Sequence, residues 1–259
     1  MFEKLKAKKH LGQHFLTDTS VINHILEVIS THCPKNEALV EVGPGQGVLT
    51  DALVNNFESF KAIEFDRDMI KVLVQKIDPQ KIINEDFLSV DLNEIFEGQT
   101  FNLVGNFPYN ISSQIIFKML DNVAKIPVMV GMFQKEVAER ICATPGGKKN
   151  GIISLRAQAF YNAEKIFDIA PDAFDPPPRV QSSIIVLKRK DNYILRCDQK
   201  IYSRVIKMSF GQRRKKMRNT LKGMVDDLDK PIYQKRPEQL SVEEFINIAI
   251  DIQNQKNIQ

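Results

Sequence analysis

Apolar runs of four to six residues alternate with amphipathic segments along the first 190 residues, and this alternation restricts the possible folds most. Seven such runs have the length and composition of strands, at residues 39–42, 60–64, 81–84, 101–104, 128–133, 165–170 and 183–188. Some of the segments between them carry apolar residues at helical spacing, as at Ile115, Ile116, Met119 and Leu120. Strands that alternate with helices predict an α/β fold with a seven-stranded sheet.

The alternation ends near residue 190, and helical patterns continue from there. Apolar spacing predicts one helix that ends near Gly211, a second over residues 213–222, and a last one that starts with the capping box at residues 241–244. A chain of 259 residues with 43% apolar content is long enough for two such parts. We therefore predict an α/β domain at residues 1–190 and a small all-helical domain at residues 191–259.

A glycine-rich turn, Gly43-Pro44-Gly45-Gln46-Gly47, follows the first predicted strand. Glycines let the backbone approach a ligand closely, and the helix predicted after Val48 begins beside the same turn. The next two strands end in Glu64 and near Asp86. Their carboxylates can accept hydrogen bonds from ribose hydroxyls and from an adenine amine, with Phe87 as an aromatic neighbour. These features predict a nucleoside-binding site.

A dinucleotide dehydrogenase would share these features, but two details disfavour it. The glycine spacing is not G-x-G-x-x-G, so no third glycine is placed to cradle a pyrophosphate. No histidine and no Tyr/Lys pair indicates hydride transfer. A ligand with a nucleoside end and an amino-acid end, but without pyrophosphate, fits better, and S-adenosylmethionine is such a ligand.

The fourth predicted strand runs into Asn106-Phe107-Pro108-Tyr109, where Pro108 stops the strand abruptly. The side-chain carbonyl of Asn106 and the Pro108 carbonyl can accept both hydrogens of a planar exocyclic amine, while Tyr109 offers a face for stacking a base. Acceptors that draw this nitrogen toward tetrahedral geometry free its lone pair for attack on a sulfonium methyl, without a strong base. An ordinary junction between a strand and a turn is the structural alternative.

A stiff connection rich in proline, residues 173–180, joins the last two predicted strands. Phe174 stands near its start. Its ring could form the second wall of a base sandwich opposite Tyr109, or it could fill the core. The residues alone leave both alternatives open.

Basic residues are concentrated in one region. Residues 189–223 contain twelve Lys and Arg but only two Asp, which gives this region a net charge of +10. Because the whole chain has a net charge of +4, the rest of the chain carries a net charge of −6. Six of the cations lie in the predicted second helix: Arg213, Arg214, Lys215, Lys216, Arg218 and Lys222. Since no acid is interspersed among them, this segment favours a nucleic-acid backbone over a merely solvated helix. A basic arm, Lys4, Lys6, Lys8 and Lys9, either contacts phosphate or is solvated.

Cysteine, histidine and apolar content disfavour several other classes of protein. The three cysteines lack CxxC spacing and the four histidines form no cluster with acids, so we expect neither a disulfide framework nor a metal site. No apolar stretch has the length of a membrane span or the position of a signal peptide. We therefore expect a cytoplasmic protein that does not bind membranes. Separately, we expect it to be a monomer.

Eight motifs, spread over nearly the whole chain, match one known family. They lie at residues 11–16, 40–45, 63–66, 106–112, 134–140, 174–180, 212–222 and 236–241. In them the chain resembles the ribosomal small-subunit RNA adenine dimethyltransferases. The resemblance implies a Rossmann-like, seven-stranded class I methyltransferase fold, with S-adenosylmethionine as methyl donor. It also implies N6,N6-dimethylation of two adjacent adenosines near the 3′ end of 16S rRNA, with the small ribosomal subunit as partner.

The same resemblance implies roles for individual residues. Carried over by position, His14 and Leu16 would contact the methionine end of the cofactor, and Gly43 would let the cofactor approach the backbone closely. Glu64 would bind the ribose and Asp86 the adenine of the cofactor. Asn106 would lie at the point of methyl transfer, and Tyr109 and Phe174 would stack on the target base. His14 departs from the family, in which many members carry Asn. A neutral imidazole offers one donor at most, so a contact to the cofactor carboxylate would depend on protonation.

Two further functions fit the same residues. A catalytically silent RNA-binding assembly factor would use the fold as a scaffold, although intact acids at Glu64 and Asp86 disfavour it. A large-subunit RNA methyltransferase of the antibiotic-resistance type would share the catalytic strand ends. The motifs at residues 212–222 and 236–241 favour the small subunit.

Overall fold

The structure, a computed structural model, describes residues 7–8 and 11–258. Packing divides the chain into two compact units, residues 1–138 with 164–189, and residues 139–163 with 190–259. In the part of the chain that is described, no helix has the length and apolar composition needed to cross a membrane.

Strands and helices alternate through the first part of the chain. In order they are β1 (Phe15–Leu16), α1 (Thr19–His32), β2 (Ala38–Val42), α2 (Thr50–Asn56), β3 (Phe60–Ile63), α3 (Arg67–Leu73), β4 (Ile82–Ile83), β5 (Phe101–Asn106), α4 (Ser112–Asp121), β6 (Val128–Gln134), α5 (Lys135–Ile141), α6 (Ile152–Phe160), β7 (Tyr161–Ile169), β8 (Phe174–Asp175) and β9 (Ser182–Arg189). Helices follow: α7 (Gln199–Gly211), α8 (Met217–Thr220), α9 (Pro231–Gln234) and α10 (Val242–Ile258).

Seven strands form one sheet in the order β4-β3-β2-β5-β6-β9-β7, which confirms the predicted α/β class and strand number. The pairs β4–β3, β3–β2, β2–β5 and β5–β6 are parallel, and β6–β9 is antiparallel. A separate antiparallel ladder of two residues each joins β1 to β8 and was not predicted. The sixth predicted strand begins earlier than expected, at Tyr161.

The strand order places a crevice between β2 and β5. From β2 the chain continues outward to β3 and β4 on one side, and it returns to β5 and β6 on the other. Ligands of open α/β sheets bind outside the carboxyl ends of the strands where the order reverses in this way. The glycine turn follows β2 and Asn106 ends β5, so both lie at this point.

Phe107 anchors the end of β5. Its ring is 0% exposed and lies against two glycines that are register partners on adjacent strands, Gly105 and Gly131. A Cβ atom built on Gly131 would come within 2.3 Å of Phe107 Cε2. Glycine at this pair of positions therefore leaves the space that the aromatic ring fills.

The second unit is helical and begins earlier in the chain than predicted. The Tyr202 hydroxyl donates to the Leu155 carbonyl at 2.9 Å, and the buried Asn150 amide donates to the Glu238 and Leu240 carbonyls at 3.0 and 3.3 Å. Residues 139–163 consequently pack with the C-terminal helices, whereas the sequence-based boundary places them with the sheet. The capping box is present, with Ser241 N–H donating to Glu244 Oε2 and Glu244 N–H to Ser241 Oγ.

The predicted helix over residues 213–222 is wrong. Only Met217–Thr220 is helical, and residues 212–216 form turns before it. The Met217 N–H donates to the Lys235 carbonyl at 2.9 Å, so a distant part of the chain takes the donor that a continuous helix would use locally. Met217 and Leu221 are nevertheless buried, as the apolar spacing predicted.

Replacing Gly131 with Ala tests the packing of Phe107. The added methyl overlaps the Phe107 ring, so we expect unfolding free energy to fall by about 1–3 kcal/mol. Gly211→Ala is the matched control, because no atom lies within 4 Å of a Cβ there. We expect its stability to change by less than about 0.5 kcal/mol. Equal midpoints of chemical denaturation for the two variants would contradict this packing.

Candidate functional site

A cavity of about 220 Å³ lies at the carboxyl ends of the parallel strands in the first unit. Eight of the predicted site residues line it: His14, Leu16, Gly43, Glu64, Asp86, Asn106, Pro108 and Tyr109. The fold thus brings together side chains that are up to 95 positions apart, from His14 to Tyr109. In the part of the chain that the structure describes, no cluster of three His, Cys, Asp or Glu side chains could hold a metal ion.

Glu64 is held in place by backbone donors. It lies directly after β3 and is 7% exposed. Oε1 accepts the Asp66 N–H at 2.8 Å, and Oε2 accepts the Gly45 N–H at 3.0 Å. Burial raises the pKa of this carboxyl, and the N–H donors oppose that rise. Each oxygen keeps a further lone pair, so the fixed carboxylate can still accept two hydroxyl hydrogens.

Asp86 lines the cavity, whereas the aromatic residue that follows it in the sequence does not. Asp86 Oδ1 accepts the Leu88 N–H at 2.9 Å, which fixes the carboxylate. Phe87, the predicted aromatic neighbour, is 3% exposed and does not line the cavity; the Lys118 ammonium lies 5.3 Å from its ring centroid. Phe65 instead lines the cavity and is 61% exposed. Its position between Glu64 and Asp66, just past a strand end, is a signal that sequence analysis missed.

Glu41 is a second residue that sequence analysis missed. It lies within β2, is 2% exposed, and lines the cavity from inside the sheet. Thr50 Oγ1 donates to its carboxylate at 2.7 Å. Burial raises the pKa of Glu41 to about 8, although the Thr50 hydrogen bond opposes the rise. A carboxyl within an otherwise apolar strand was the available signal.

Residues 11–16 close one side of the cavity, and Asp66 at its rim binds Lys8 and Gln13. Lys8 Nζ lies 2.6 Å from Asp66 and 2.7 Å from Asp68, and Gln13 Nε2 donates to Asp66 Oδ2 at 2.8 Å. Burial would raise the pKa of Asp66, but these donors and the Asp68 N–H lower it overall. Lys8 is therefore engaged by acids rather than available for phosphate. Lys4, Lys6 and Lys9 lie outside the described residues.

Asn106 and the glycine turn are adjacent. A Cβ atom built on Gly43, whose φ is +68°, would lie 3.7 Å from Pro108 Cδ and 3.8 Å from the Asn106 carbonyl oxygen. The Asn106 Nδ2 group donates to the His14 carbonyl at 3.1 Å, and no group within residues 7–8 and 11–258 donates to Asn106 Oδ1. The Pro108 carbonyl accepts the Ile111 N–H at 3.1 Å and keeps one lone pair. Asn106 Oδ1 and the Pro108 carbonyl oxygen, which together we call the Asn106–Pro108 corner, thus remain available as acceptors.

Tyr109 is fixed at its hydroxyl and covered on one face. The hydroxyl forms a short hydrogen bond with Oγ of the buried Ser182, and burial raises the tyrosine pKa. The His14 ring stacks on the Tyr109 ring, with centroids 5.5 Å apart and planes inclined by 27°. Tyr109 therefore stays neutral at physiological pH.

Phe174 fills the core. It is 3% exposed and belongs to the same apolar cluster as Leu16, its partner in the β1–β8 ladder. The ring therefore packs in the core of the first unit, and its role as the second wall of the base pocket remains a prediction. Leu16 is itself 2% exposed and contacts the cavity from the core side.

The predicted RNA-binding residues lie in the second unit and fall into two groups. Arg214, Lys215, Lys216, Arg218 and Lys222 are exposed, and none has an acidic partner among the described residues. Arg213 differs because its guanidinium donates to the Lys148 carbonyl and its Nε lies 3.9 Å from Glu238. Arg213 thus supports the loop that carries Lys148, while the other five present free positive charge.

Replacing Lys8 with Met tests whether its ion pair with Asp66 helps to hold residues 11–16 at the cavity. The lost ion pair is partly exposed, so we expect only about a fivefold rise in amide hydrogen exchange over residues 11–16. Lys71→Met is the control, because Lys71 forms an ion pair with Asp68 but not with Asp66, and its side chain is 76% exposed. Equal exchange in both variants would show that Lys8 does not hold this segment.

Known proteins resemble this chain over nearly its whole length. A family described as "Ribosomal RNA adenine dimethylase" matches residues 4–254. The ribosomal RNA small subunit methyltransferase A of Flavobacterium johnsoniae is 46% identical over 256 residues, covering 97% of each chain. A solved dimethyladenosine transferase from Plasmodium falciparum has a TM-score of 0.80 at 21% identity, covering 94% of this chain and 98% of that one. The 23S rRNA methyltransferase ErmE has a TM-score of 0.70 at 22% identity, covering 91% and 99%.

The two solved structures share the fold with this chain over nearly its whole length, which confirms the predicted class I methyltransferase architecture. Class I methyltransferases generally use S-adenosylmethionine. Because the family match and the relative of 46% identity both extend over nearly the full sequence, the chain belongs to the ribosomal RNA adenine dimethylase family.

Proposed function

We propose that the chain transfers methyl groups from S-adenosylmethionine to the N6 amines of two adjacent adenosines near the 3′ end of 16S rRNA, giving N6,N6-dimethyladenosine during ribosome biogenesis. The corner of Asn106 and Pro108 beside the Gly43 turn carries this proposal. The name of the Flavobacterium relative supports the small subunit as the partner. A ribosomal substrate favours a cytoplasmic location, and we propose that the enzyme acts as a monomer.

The residues at the cavity fit the donor. Glu64 would accept hydrogen bonds from both ribose hydroxyls, and Asp86 would accept one from the adenine amine. The exposed Phe65 ring would be covered by the adenine, and Gly43 would admit the methionine end close to the backbone. When bound, S-adenosylmethionine supplies an electrophilic methyl group on a positively charged sulfur.

Asn106 and Pro108 would prepare the attacking nitrogen. Asn106 Oδ1 and the Pro108 carbonyl would each accept one hydrogen of the target amine, which holds the nitrogen lone pair outside the base plane. The amide of Asn106 cannot turn freely, because Nδ2 is engaged by the His14 carbonyl. During the transfer, positive charge would build on the nitrogen, and the two carbonyl dipoles would stabilise that charge. The proton can therefore leave to water after the transfer.

The second methyl transfer needs only one of the two acceptors at this corner. A monomethylated amine has one hydrogen left, so either carbonyl suffices to hold it. The pocket must also leave room for the first methyl group, and the target base must leave the RNA stack to reach it.

The five exposed cations of the second unit would bind the RNA backbone. Turns and one short helix present Arg214, Lys215, Lys216, Arg218 and Lys222. Phosphate contacts of this kind position an RNA without reading its sequence. We propose that residues 190–259, together with 139–163, form the RNA-binding part and that the sheet unit carries catalysis.

Mapping methylated nucleotides tests the proposed function against its alternatives. Purified protein, cofactor with a labelled methyl group and unmethylated small subunits should yield label on two adjacent adenosines near the 16S rRNA 3′ end. A silent assembly factor would leave no label on the RNA. Label on large-subunit RNA alone would instead indicate an enzyme of the resistance type.

Replacing Asn106 with Ala should lower turnover by about a hundredfold or more, because one of two acceptors at the reacting nitrogen is lost. Cofactor affinity should stay within about twofold of wild type, since Glu64 and Asp86 remain. Asn55→Ala is the control: this exposed amide contacts only the Asp51 carbonyl of its own helix. Turnover near wild type in the Asn106 variant would rule out the assigned role.

Removing two exposed arginines tests the RNA-binding surface. In Arg214→Ala/Arg218→Ala we expect weaker RNA binding and a slope of log affinity against log salt that is smaller by about 1 to 2. The control is Lys35→Ala/Lys71→Ala, which removes two exposed charges of the first unit. An unchanged salt slope in the arginine variant would contradict phosphate contact at these positions.

A further inference from the structure

The loop between α5 and α6 carries two adjacent lysines whose surroundings differ. Lys149 forms an ion pair with Glu139, so its charge is balanced within the second unit. Lys148 is exposed, and in the part of the chain that the structure describes its ammonium has neither an acidic partner nor a hydrogen-bond acceptor. Of the two lysines, Lys148 therefore presents an unbalanced positive charge to solvent.

This loop is held at both ends by side chains of its own unit. At its start, the Gln158 amide donates to the carbonyls of Ile141 and Ala143 at 2.8 and 2.9 Å. At its end, the buried Asn150 accepts the Ser154 hydroxyl hydrogen at 2.9 Å through Oδ1. A loop that is already ordered loses less conformational entropy when it binds a ligand than a freely moving one does. The loop is thus suited to present a side chain for binding.

Arg213 joins the tip of the loop to the exposed cations of the second unit. Its guanidinium donates to the Lys148 carbonyl, and the Glu238 carbonyl accepts the Gly146 N–H at 2.9 Å. The loop is therefore held from two sides. Arg213 directly precedes Arg214, the first of the five exposed cations. The backbone of Lys148 consequently lies next to the start of that basic segment.

Arg213 is poorly placed to bind a phosphate itself. It is less exposed than Arg214, and one of its N–H groups is already engaged by the Lys148 carbonyl. Its Nε also lies 3.9 Å from the Glu238 carboxylate, which offsets part of its charge. Lys148, in contrast, keeps three ammonium hydrogens for an acceptor. At this end of the basic segment, Lys148 rather than Arg213 is the cation available to a phosphate.

We propose that Lys148 binds a phosphate of the RNA and that Arg213 is a positioning residue that holds Lys148 beside the basic segment. This inference rests on the proposed function and deepens it, because it adds a phosphate contact from residues 139–163 and assigns Arg213 a different task from its neighbours. Five cations without interspersed acids favour a polyanion as the ligand, and a sixth cation next to them extends the same surface.

The salt dependence of RNA binding tests the role of Lys148. The probe is a labelled, unmethylated fragment of 16S rRNA that contains the 3′ end. In Lys148→Met we expect the slope of log affinity against log salt to be smaller by about 1, and the affinity at moderate salt to fall about threefold. Lys148→Arg should keep the slope within about 0.3 of wild type, because the charge is retained.

Lys149→Met is the matched control, since it removes a lysine of the same loop whose charge is already paired. We expect it to change the slope by less than about 0.3. Because the Lys148 side chain is exposed, the midpoint of chemical denaturation should be the same in Lys148→Met and wild type. An unchanged slope in Lys148→Met, or equal losses of slope in the two Met variants, would overturn the proposal.

A double-mutant cycle tests the role of Arg213. If Arg213 acts through Lys148, Arg213→Met should lower the slope in the otherwise unchanged chain but alter it by less than about 0.3 in the Lys148→Met background. A further loss of about 1 in that background would show that Arg213 contacts phosphate itself, and would overturn its assignment as a positioning residue.

Methyl transfer and phosphate contact at Lys148 are measured independently. RNA binding that depends on Lys148, in a wild-type protein that leaves no methyl label, would refute the proposed function and support the role of Lys148. Methyl transfer to the two expected adenosines, with an unchanged salt slope in Lys148→Met, would refute the role of Lys148 alone.

Discussion

The packing of Phe107 against Gly105 and Gly131 determines where the chain can place its reactive groups. Because the ring is fully buried at the end of β5, the residues on either side of it are held at the cavity. Each then has its own anchor: the Asn106 amide bonds the His14 carbonyl, and the Tyr109 hydroxyl bonds Ser182. A corner fixed at Asn106, Phe107 and Tyr109 can offer two carbonyl oxygens in a constant geometry, which is the property that catalysis by placement requires.

Neighbouring acids at the cavity have different tasks, and their partners distinguish them. Glu64 receives two backbone N–H groups and keeps lone pairs toward a ligand. Asp66 is saturated by Lys8 and Gln13, so it holds the N-terminal segment rather than a ligand. Glu41 lies deeper, and burial keeps its pKa near 8. Three carboxyl groups in one site thus have three environments: Glu64 keeps acceptor capacity, Asp66 anchors a segment, and Glu41 is a buried part of the cavity wall.

The sequence predicted the sheet well because buried parallel strands are marked by local apolar runs, and Glu64 and Asp86 were found because they follow such runs. Predictions that depend on distant partners were less accurate. Residues 212–216 do not continue a helix, since the Met217 N–H bonds Lys235. Phe174 and Phe87 are buried and Phe65 is exposed, which local spacing cannot distinguish. The stacking of His14 on Tyr109 joins residues 95 positions apart and had no signal in the sequence.

The central claim is that a rigid pair of carbonyl acceptors activates the target amine without a side chain that removes its proton. The raised pKa of Tyr109 agrees with this, because its hydroxyl stays protonated. The most direct measurement is the single-turnover rate constant of the first methyl transfer, at saturating cofactor and RNA, from about pH 6 to about pH 9. The account predicts a rate constant that varies by less than about twofold across this range. A rate that rises about tenfold per pH unit toward a plateau would show that a group must lose its proton first, and would contradict it.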